Sequence, residues 1–403
     1  MTASALASLT LSALASVTQA PTPQEAFSRD IRIERHSPMS EIGFDWTLGK
    51  IFIEAEANGQ AGQFIFDTGS PTIVSRSLAN SLELEIIGQN TGRDAHGAEV
   101  VMDIAVVETL RLGEVSFHDV PVLIFDFETL DQGACFIESG VIGSEILKGS
   151  AWRIDLASQT LSFAADIEGL PALPPGLQSP MHDFGYPHMP IIEYAIGDMQ
   201  DRALFDTGFS GSLALFERAA DTPAVRRRVV RGSLERGLGR AGESAGGWSA
   251  PEPLTRAALE GVRMGEETLP RLDAELRSLA PTLLGAGLLH THVVTLDYPE
   301  GQIALSPLST PLPANPPQDF SIGIVGEHAE LVRLYENTPA ARAGLEVGDV
   351  VLSVDGRRLE TQPAATRCET SLWLGEEMNA QTVQSLTLWR AGETRTVTLR
   401  PER

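Results

Sequence analysis

The sequence predicts a mainly β protein made of two similar lobes and a smaller third segment. Three observations predict this. Short apolar runs rich in β-branched residues and bounded by glycine recur along the chain and indicate strands and hairpins. One motif, Phe-Asp-Thr-Gly, occurs twice in similar surroundings. Proline clusters at 171–180 and 307–317 mark two joints, because proline interrupts helix and sheet alike.

These joints and the apolar N-terminus divide the chain into four parts. Residues 1–20 are expected to be a signal peptide, 21–170 the first lobe, 181–306 the second lobe and 318–403 a separate C-terminal domain. The leader is too short and too rich in serine and threonine for a spanning helix, so a periplasmic or secreted protein is predicted. It lacks a basic residue before the apolar stretch, so a disordered leader, or a start codon assigned too far downstream, is the alternative. No other segment reaches membrane-spanning length.

Composition narrows the possible partners. The 403 residues are 42% apolar, enough for a core in each of two or three domains. Acidic residues number 54 against 30 basic ones, and the net charge of −24 repels phosphate backbones and anionic headgroups, so no nucleic acid is expected. Lysine occurs only at Lys50 and Lys148. Catalysis through a Schiff base, which requires a lysine amine, is therefore not expected.

The sequence indicates no metal, no cofactor and no disulfide framework. Cys135 and Cys368 lie 233 residues apart without a paired spacing, and both are expected to be small apolar core residues. His290 and His292 share one strand face, but no third ligand is near them in sequence. Residues 237–242 satisfy a G-x-G-x-x-G spacing without a preceding buried strand, so a flexible loop is expected there.

The repeat extends well beyond its four-residue motif. Residues 66–69 and 205–208 both spell Phe-Asp-Thr-Gly. An apolar-apolar-glycine element follows each copy, and an aspartate follows that element; these are Val141-Ile142-Gly143 with Asp155, and Leu283-Leu284-Gly285 with Asp297. Such shared order on one scaffold indicates duplicated β lobes.

The repeated aspartates predict acid–base chemistry. Asp67 and Asp206 each follow an apolar strand and enter a tight turn with glycine. If a two-fold relation between the lobes brings the carboxylates together, they cannot both ionise and must share one proton. One carboxyl then acts as the acid and the other as the base. That pair can activate a water molecule toward a peptide carbonyl without a metal or a covalent intermediate.

The sequence FDTGS followed by VIG, and FDTG followed by LLG, resembles the aspartic proteases of the pepsin and retropepsin clan. The resemblance covers roughly residues 45–306 and implies two pseudo-symmetric acid-protease β lobes in one chain. It implies that Asp67 and Asp206 are the catalytic dyad acting on peptide or protein substrates. The supporting dyad-loop residues would be Thr68 and Thr207, which interlock the loops, Gly69 and Gly208, which allow the close turns, and Ser70.

The chain departs from that family at several positions. Ser70 could bond its aspartate through the hydroxyl, whereas Phe209 at the matching position cannot, and Ser210 or a water would have to replace it. A flap hairpin is expected at 90–103, but without the tyrosine of pepsin-like flaps. The glycine-rich stretch 237–247 would occupy the matching place in the second lobe.

The last segment resembles a bacterial PDZ domain, an α+β module. The residues that carry the resemblance are Thr338-Pro339-Ala340, Ala343-Gly344-Leu345, Gly348-Asp349 and Val354-Asp355-Gly356. The resemblance implies a carboxylate-binding loop for C-terminal peptides, formed by Ser321, Ile322, Gly323 and Ile324, with Gly323 freeing the loop backbone. A packing module without a ligand is the alternative.

Together these features predict an exported, monomeric aspartic endopeptidase whose PDZ domain recruits or gates peptide substrates. The competing hypothesis is a peptide-binding adaptor that retains an inactive protease fold. A closing flap and two aspartates that face one cleft would favour the enzyme.

Overall fold

The computed structural model describes residues 22–174 and 176–399, so the predicted signal peptide lies outside the described residues. The fold is mainly β, as predicted, with short helices between strands. No helix within the described residues is long and apolar enough to cross a membrane. The helices are α1 (Pro23–Ser28), α2 (Arg76–Ser81), α3 (Glu217–Ala220), α4 (Pro223–Arg226), α5 (Pro339–Arg342) and α6 (Ala364–Trp373).

The first lobe is built around one sheet of nine strands. Its buried core includes Phe64, Phe66 and Phe117, and Ile65, between the first two, packs into a second buried cluster with Phe52 and Val141. The described strands are β1 (Arg32–Arg35), β2 (Met39–Gly43), β3 (Asp45–Thr47), β4 (Lys50–Ala57), β5 (Gln60–Phe66), β6 (Ile73–Ser75), β7 (Gly88–Arg93), β8 (Glu99–Leu112), β9 (Val115–Phe125), β10 (Gly140–Ile142), β11 (Ala151–Asp155) and β12 (Thr160–Ala164).

The second lobe repeats the strand pairing of the first. Its described strands are β13 (Leu177–His182), β14 (Ile191–Ile196), β15 (Met199–Asp206), β16 (Leu213–Phe216), β17 (Glu235–Gly239), β18 (Glu243–Ser244), β19 (Gly247–Trp248), β20 (Glu252–Leu259), β21 (Val262–Met264), β22 (Glu267–Thr268), β23 (Leu272–Arg277), β24 (Thr282–Gly285), β25 (His292–Asp297) and β26 (Gln302–Pro307). Strand β10 runs parallel to β5 and antiparallel to β6, and β24 has the same relation to β15 and β16. The predicted pseudo-symmetric fold class is thereby confirmed.

The two lobes meet in a sheet to which each contributes three strands. Its order is β2, β12, β11, β25, β26 and β13, with Ala151 paired to Asp297 where the lobes join. Trp152 from β11 is fully buried beneath this sheet and stacks on Phe163 with ring centroids 4.3 Å apart. The repeated aspartate Asp155 ends β11 by accepting a hydrogen bond from the Ala157 N–H at 2.9 Å. This sheet joins the lobes rigidly, because its ladder runs through both.

The C-terminal domain has its own core and a mixed architecture. Ile324, Leu331, Leu386 and Leu388 are fully buried in that core. A π-helical turn, Leu374–Met378, continues α6. The strands are β27 (Phe320–Val325), β28 (His328–Tyr335), β29 (Val350–Val354), β30 (Arg357–Arg358), β31 (Ser385–Arg390) and β32 (Glu393–Thr398).

The predicted carboxylate-binding loop is not a loop. Ser321, Ile322, Gly323 and Ile324 all lie within β27, and their backbones pair with β28. Ile322 and Ile324 point into the domain core, and burial of these alternating apolar side chains accounts for the strand conformation.

The C-terminal domain also docks on both lobes. The second-lobe strand β17 pairs antiparallel with β28, bringing Gly237 opposite Tyr335. Cys135 of the first lobe forms a disulfide with Cys368 of α6, with Cα atoms 5.1 Å apart. The expectation that the two cysteines are separate apolar core residues is therefore wrong. Their distance along the chain concealed the bond, because only the folded domains bring them together.

Candidate active site

The two repeated loops leave the lobes at the ends of matching strands. Strand β5 ends at Phe66, where it pairs with Ile142 of β10, and the Asp67 N–H donates to the Ile142 carbonyl oxygen at 3.0 Å. In the second lobe Asp206 ends β15 and lies opposite Gly285 of β24. The apolar-apolar-glycine elements therefore pass beneath the aspartate loops. Each carboxylate is carried by a buried pair of parallel strands, which fixes its position.

Two threonines interlock the loops. Thr68 Oγ1 donates to the Phe205 carbonyl oxygen at 2.7 Å and accepts from the Thr207 N–H at 3.1 Å. Thr207 Oγ1 donates to the Phe66 carbonyl oxygen at 2.8 Å and accepts from the Thr68 N–H at 3.0 Å. Both threonine side chains are completely buried. Because every polar group in this exchange is satisfied across the lobe boundary, the loops are held at a fixed distance.

The two carboxyl groups approach each other's loops closely. The Gly69 N–H donates to Asp67 Oδ1 at 2.8 Å, and the Gly208 N–H donates to Asp206 Oδ1 at 2.8 Å. A Cβ atom on Gly69 would lie 2.4 Å from Asp206 Cγ, and one on Gly208 would lie 2.4 Å from Asp67 Oδ2. Any side chain at either glycine would collide with the opposing carboxyl group. Glycine is therefore required here for space.

The electrostatics of the pair favour a shared proton. Burial raises the pKa of Asp206 to about 7, and the neighbouring Asp67 carboxylate contributes to the increase. The Lys50 ammonium opposes it, lowering the pKa of Asp206, and Lys50 Nζ donates to the Gly208 carbonyl oxygen. In mildly acidic solution the Asp206 carboxyl group therefore stays protonated while it lies beside the Asp67 carboxyl group.

Lys50 was missed by sequence reasoning. It begins β4 in the first lobe but reaches the Gly208 loop of the second. A single lysine at a strand end carries no pattern that indicates such a contact. Only the packing of the lobes makes it part of the site.

The expected hydroxyl bond to Asp67 is absent from the structure. Ser70 Oγ donates to the Pro71 carbonyl oxygen at 2.9 Å instead. In the second lobe Phe209 packs against the cluster formed by Leu204, Ala214 and Leu283. A Cβ atom on Gly49 would lie 2.5 Å from the Cβ atom of the exposed Ser210. Ser70 therefore does not make the bond that its hydroxyl could form with Asp67, because the hydroxyl is satisfied on its own turn.

Each lobe contributes a hairpin, referred to below as its flap. In the first, β7 and β8 form a hairpin whose tip is closed by Asp94 Oδ1, which accepts from the His96 and Ala98 N–H groups at 3.0 and 2.8 Å. In the second, β17 and β20 form a hairpin with β18 and β19 at its tip. The tips touch, since Asp94 Oδ2 accepts from the Gly246 N–H at 2.9 Å. The two predicted hairpin regions, 90–103 and 237–247, thus contact each other at their tips.

One carboxylate joins the second flap to the first lobe. Glu243 accepts hydrogen bonds from three successive backbone N–H groups, those of Asp131 at 2.6 Å and of Gln132 and Gly133 at 2.9 Å. Charge-assisted bonds to converging N–H groups are stronger than neutral ones. This contact between the lobes has no signature in the sequence.

A buried glutamate supports the first loop from behind. Glu145 is 2% exposed, and its Oε1 accepts from the Thr72 N–H at 2.7 Å. Thr72 Oγ1 accepts in turn from the Gly143 N–H at 2.9 Å. Burial raises the pKa of Glu145 to about 7. Glu145 therefore positions the chain that follows the Asp67 loop.

Metal-binding side chains do not cluster here. Across 22–174 and 176–399, histidine, cysteine, aspartate and glutamate residues form no group of three or more that could hold a metal ion. The expectation that no metal or cofactor is needed stays a prediction.

Comparison with known families identifies two parts of the chain. Residues 53–146 match the aspartyl protease family, a span that includes the Asp67 loop and the Val141-Ile142-Gly143 element. Residues 331–368 match the PDZ domain family. No curated protein matches the chain. The chain therefore contains one segment that is similar to the aspartyl protease family and a C-terminal segment that is similar to the PDZ domain family.

Proposed function

We propose that this chain is an exported aspartic endopeptidase that hydrolyses peptide bonds with the Asp67–Asp206 dyad and an activated water molecule. One observation carries the proposal: the two carboxyl groups face each other across loops interlocked by Thr68 and Thr207. An isolated buried carboxylate is unfavourable unless its charge is used or compensated. A pair sharing one proton supplies both an acid and a base.

In the mechanism, Asp206 is the protonated member because burial favours its neutral form. Asp67, held by the Gly69 N–H, takes a proton from water as the water oxygen attacks the peptide carbonyl carbon. Asp206 donates its proton to the carbonyl oxygen, giving a neutral tetrahedral diol. Asp67 then gives the proton that it took from water to the amide nitrogen, while Asp206 accepts a proton from one diol hydroxyl. The C–N bond breaks, a carboxylic acid and an amine leave, and both aspartates return to their starting protonation states.

The other elements of the proposal follow from the architecture. The Cys135–Cys368 disulfide supports export, because such bonds persist mainly in oxidising compartments. The PDZ domain is proposed to recruit peptides or proteins through their C-termini. A bound peptide would pair with β27 and so add a strand to the sheet. A domain docked beside the cleft would raise the local concentration of such substrates.

The test is digestion of a peptide library by the purified protein, with and without dithiothreitol, at several pH values. Asp67→Asn and Asp206→Asn should each reduce cleavage at least about a thousand-fold, since neither can complete the proton transfers. Asp221→Asn, on the exposed surface, is the matched control and should cleave normally. A chelator should have no effect, whereas a statine-type inhibitor should block cleavage.

Two outcomes would contradict the proposal. Full activity in either dyad variant would exclude the mechanism. A folded wild-type protein that binds peptides but cuts none under any of these conditions would instead favour the inactive adaptor.

A further inference from the structure

The groove between β27 and α6 is filled by a segment of the chain itself. In the proposed function this groove takes a peptide, which adds a strand along the free edge of β27. In the structure that edge faces residues 131–135 of the first lobe, referred to below as the 131–135 loop. Trp248, at the tip of the second flap, covers the same edge.

Side chains from both lobes bond to the free edge of β27 and to the turn that follows it. The Ile324 N–H donates to Gln132 Oε1 at 3.2 Å, and the Ile324 carbonyl oxygen accepts from Trp248 Nε1 at 2.8 Å. In the turn that follows β27, the Gly326 N–H donates to Asp131 Oδ2 at 2.9 Å. The backbone N–H and carbonyl oxygen of Ile324 are the groups that a peptide strand added to this edge of β27 would use.

The same loop reaches the helical wall of the groove. Gln132 Nε2 donates to Ser371 Oγ of α6 at 3.2 Å, and Cys135 is bonded to Cys368 one turn earlier on that helix. Gln132 therefore bridges strand and helix, and the disulfide fixes the loop between them.

No space for a peptide strand remains beside Gly323. A Cβ atom on this residue would lie 2.8 Å from both Gln132 Oε1 and Trp248 Cη2. Glycine at 323 thus permits close approach by the occupant, whereas the sequence suggested that it frees a loop. Replacing it by valine would push out the internal occupant as well as any peptide.

We propose that the 131–135 loop is an internal ligand of the PDZ groove, and that the Cys135–Cys368 disulfide is a redox-controlled latch on it. While the bond is intact, the loop stays at high effective concentration and excludes C-terminal peptides. Reduction by a dithiol removes the covalent constraint, so a free C-terminus can compete for β27. The inference rests on the proposed function only in assigning the groove to peptide recruitment.

The latch is accessible to a reductant. Both cysteines are only partly buried, and Cys135 lines an open cavity of about 410 Å³ in the first lobe. A dithiol thiolate attacks the Cys135 sulfur, forming a mixed disulfide and expelling the Cys368 thiolate. The second thiol of the reagent then attacks its own bonded sulfur and releases Cys135. The protein gains two electrons and two protons, and the dithiol is oxidised to a disulfide.

The test uses Asp206→Asn protein, which cannot cut the probe if the proposed mechanism holds. The probe is a pool of labelled peptides with randomised C-terminal residues and a free carboxylate, and the same pool amidated at the C-terminus is its control. Dithiothreitol should increase capture of the free-acid pool at least about ten-fold and leave the amidated pool unchanged. Hydrogen exchange at the Ile324 and Gly326 amides should accelerate by a similar factor.

Matched variants separate the latch from general loosening. The double variant Cys135→Ser/Cys368→Ser should bind the free-acid pool without dithiothreitol, and Gln132→Ala should bind it partly while oxidised. Gln63→Ala, which lines the same cavity, should behave as the parent protein. Equal capture and equal exchange before and after reduction would overturn the inference, as would equal capture of the acid and amide pools. Because no readout requires cleavage, failure of the protease proposal would leave these outcomes distinct.

Discussion

Replacing Asp206 by asparagine is expected to stabilise the folded protein at neutral pH. Burial, together with the nearby Asp67 carboxylate, raises the pKa of Asp206 from its ordinary value of 3.8 to about 7. The folded state therefore holds a proton that the unfolded chain has released across this pH window, and the free energy of unfolding falls as pH rises through it. Asparagine has nearly the same shape as aspartate and cannot ionise, so the free energy of unfolding of the variant does not fall in this way as the pH rises.

The magnitude follows from the size of the shift. Each pKa unit corresponds to about 1.4 kcal/mol, so the full difference is an upper limit of about 4 kcal/mol above pH 7. The carboxyl keeps some solvent access, which reduces the expected gain to about 2 to 4 kcal/mol. For a chain of this length that corresponds to roughly 2 to 5 °C in Tm. Below pH 3.8 both states are protonated, and the contribution vanishes.

The assay is differential scanning calorimetry of oxidised wild-type protein and Asp206→Asn, near pH 4 and near pH 8. Glu145 titrates in the same window but is present in both proteins, so it cancels in the comparison. Asp221→Asn should show no pH-dependent difference, since Asp221 is an exposed partner of Arg226. A variant that is less stable at pH 8, or equally shifted at both pH values, would refute the shared-proton account.

Three further predictions concern the surroundings of the dyad. Lys50→Met should move the alkaline limb of the kcat/KM profile to higher pH, because the ammonium lowers the pKa of Asp206; an unmoved limb would show that Lys50 does not act on the dyad. Thr207→Val should lower the free energy of unfolding by about 2 to 4 kcal/mol and abolish cleavage, because it removes both hydrogen bonds of Thr207 Oγ1. Thr207→Ser should keep wild-type stability and cleavage, as measured by calorimetry and by peptide hydrolysis. Glu243→Gln should speed amide exchange at 131–133 by roughly ten-fold, and unchanged protection would mean that the carboxylate does not hold this loop.

The two β lobes could be predicted because their defining features are local in sequence. Four residues ending a strand suffice to place Asp67 on a turn next to glycine, and their repetition at 205–208 implies a matching lobe. The apolar-apolar-glycine elements were recognisable for the same reason, and the structure places them beneath both loops. The hydrogen-bond partner of Ser70 could not be predicted in this way. A serine hydroxyl at this position can donate to a carbonyl oxygen of its own turn or to the neighbouring carboxylate, and the motif does not distinguish the two.

The sequence by itself determined the duplicated β architecture, the paired Asp67 and Asp206 loops and the resemblance of the last segment to PDZ domains, because strand periodicity, turn glycines and repeated motifs each depend on a few adjacent residues. Only the tertiary structure decided how the hairpin tips meet and which residues contact β27. Cys135 and Cys368 are 233 residues apart, and Gln132 and Trp248 reach Ile324 from different lobes. Such contacts depend on the relative placement of whole domains, which no short pattern encodes.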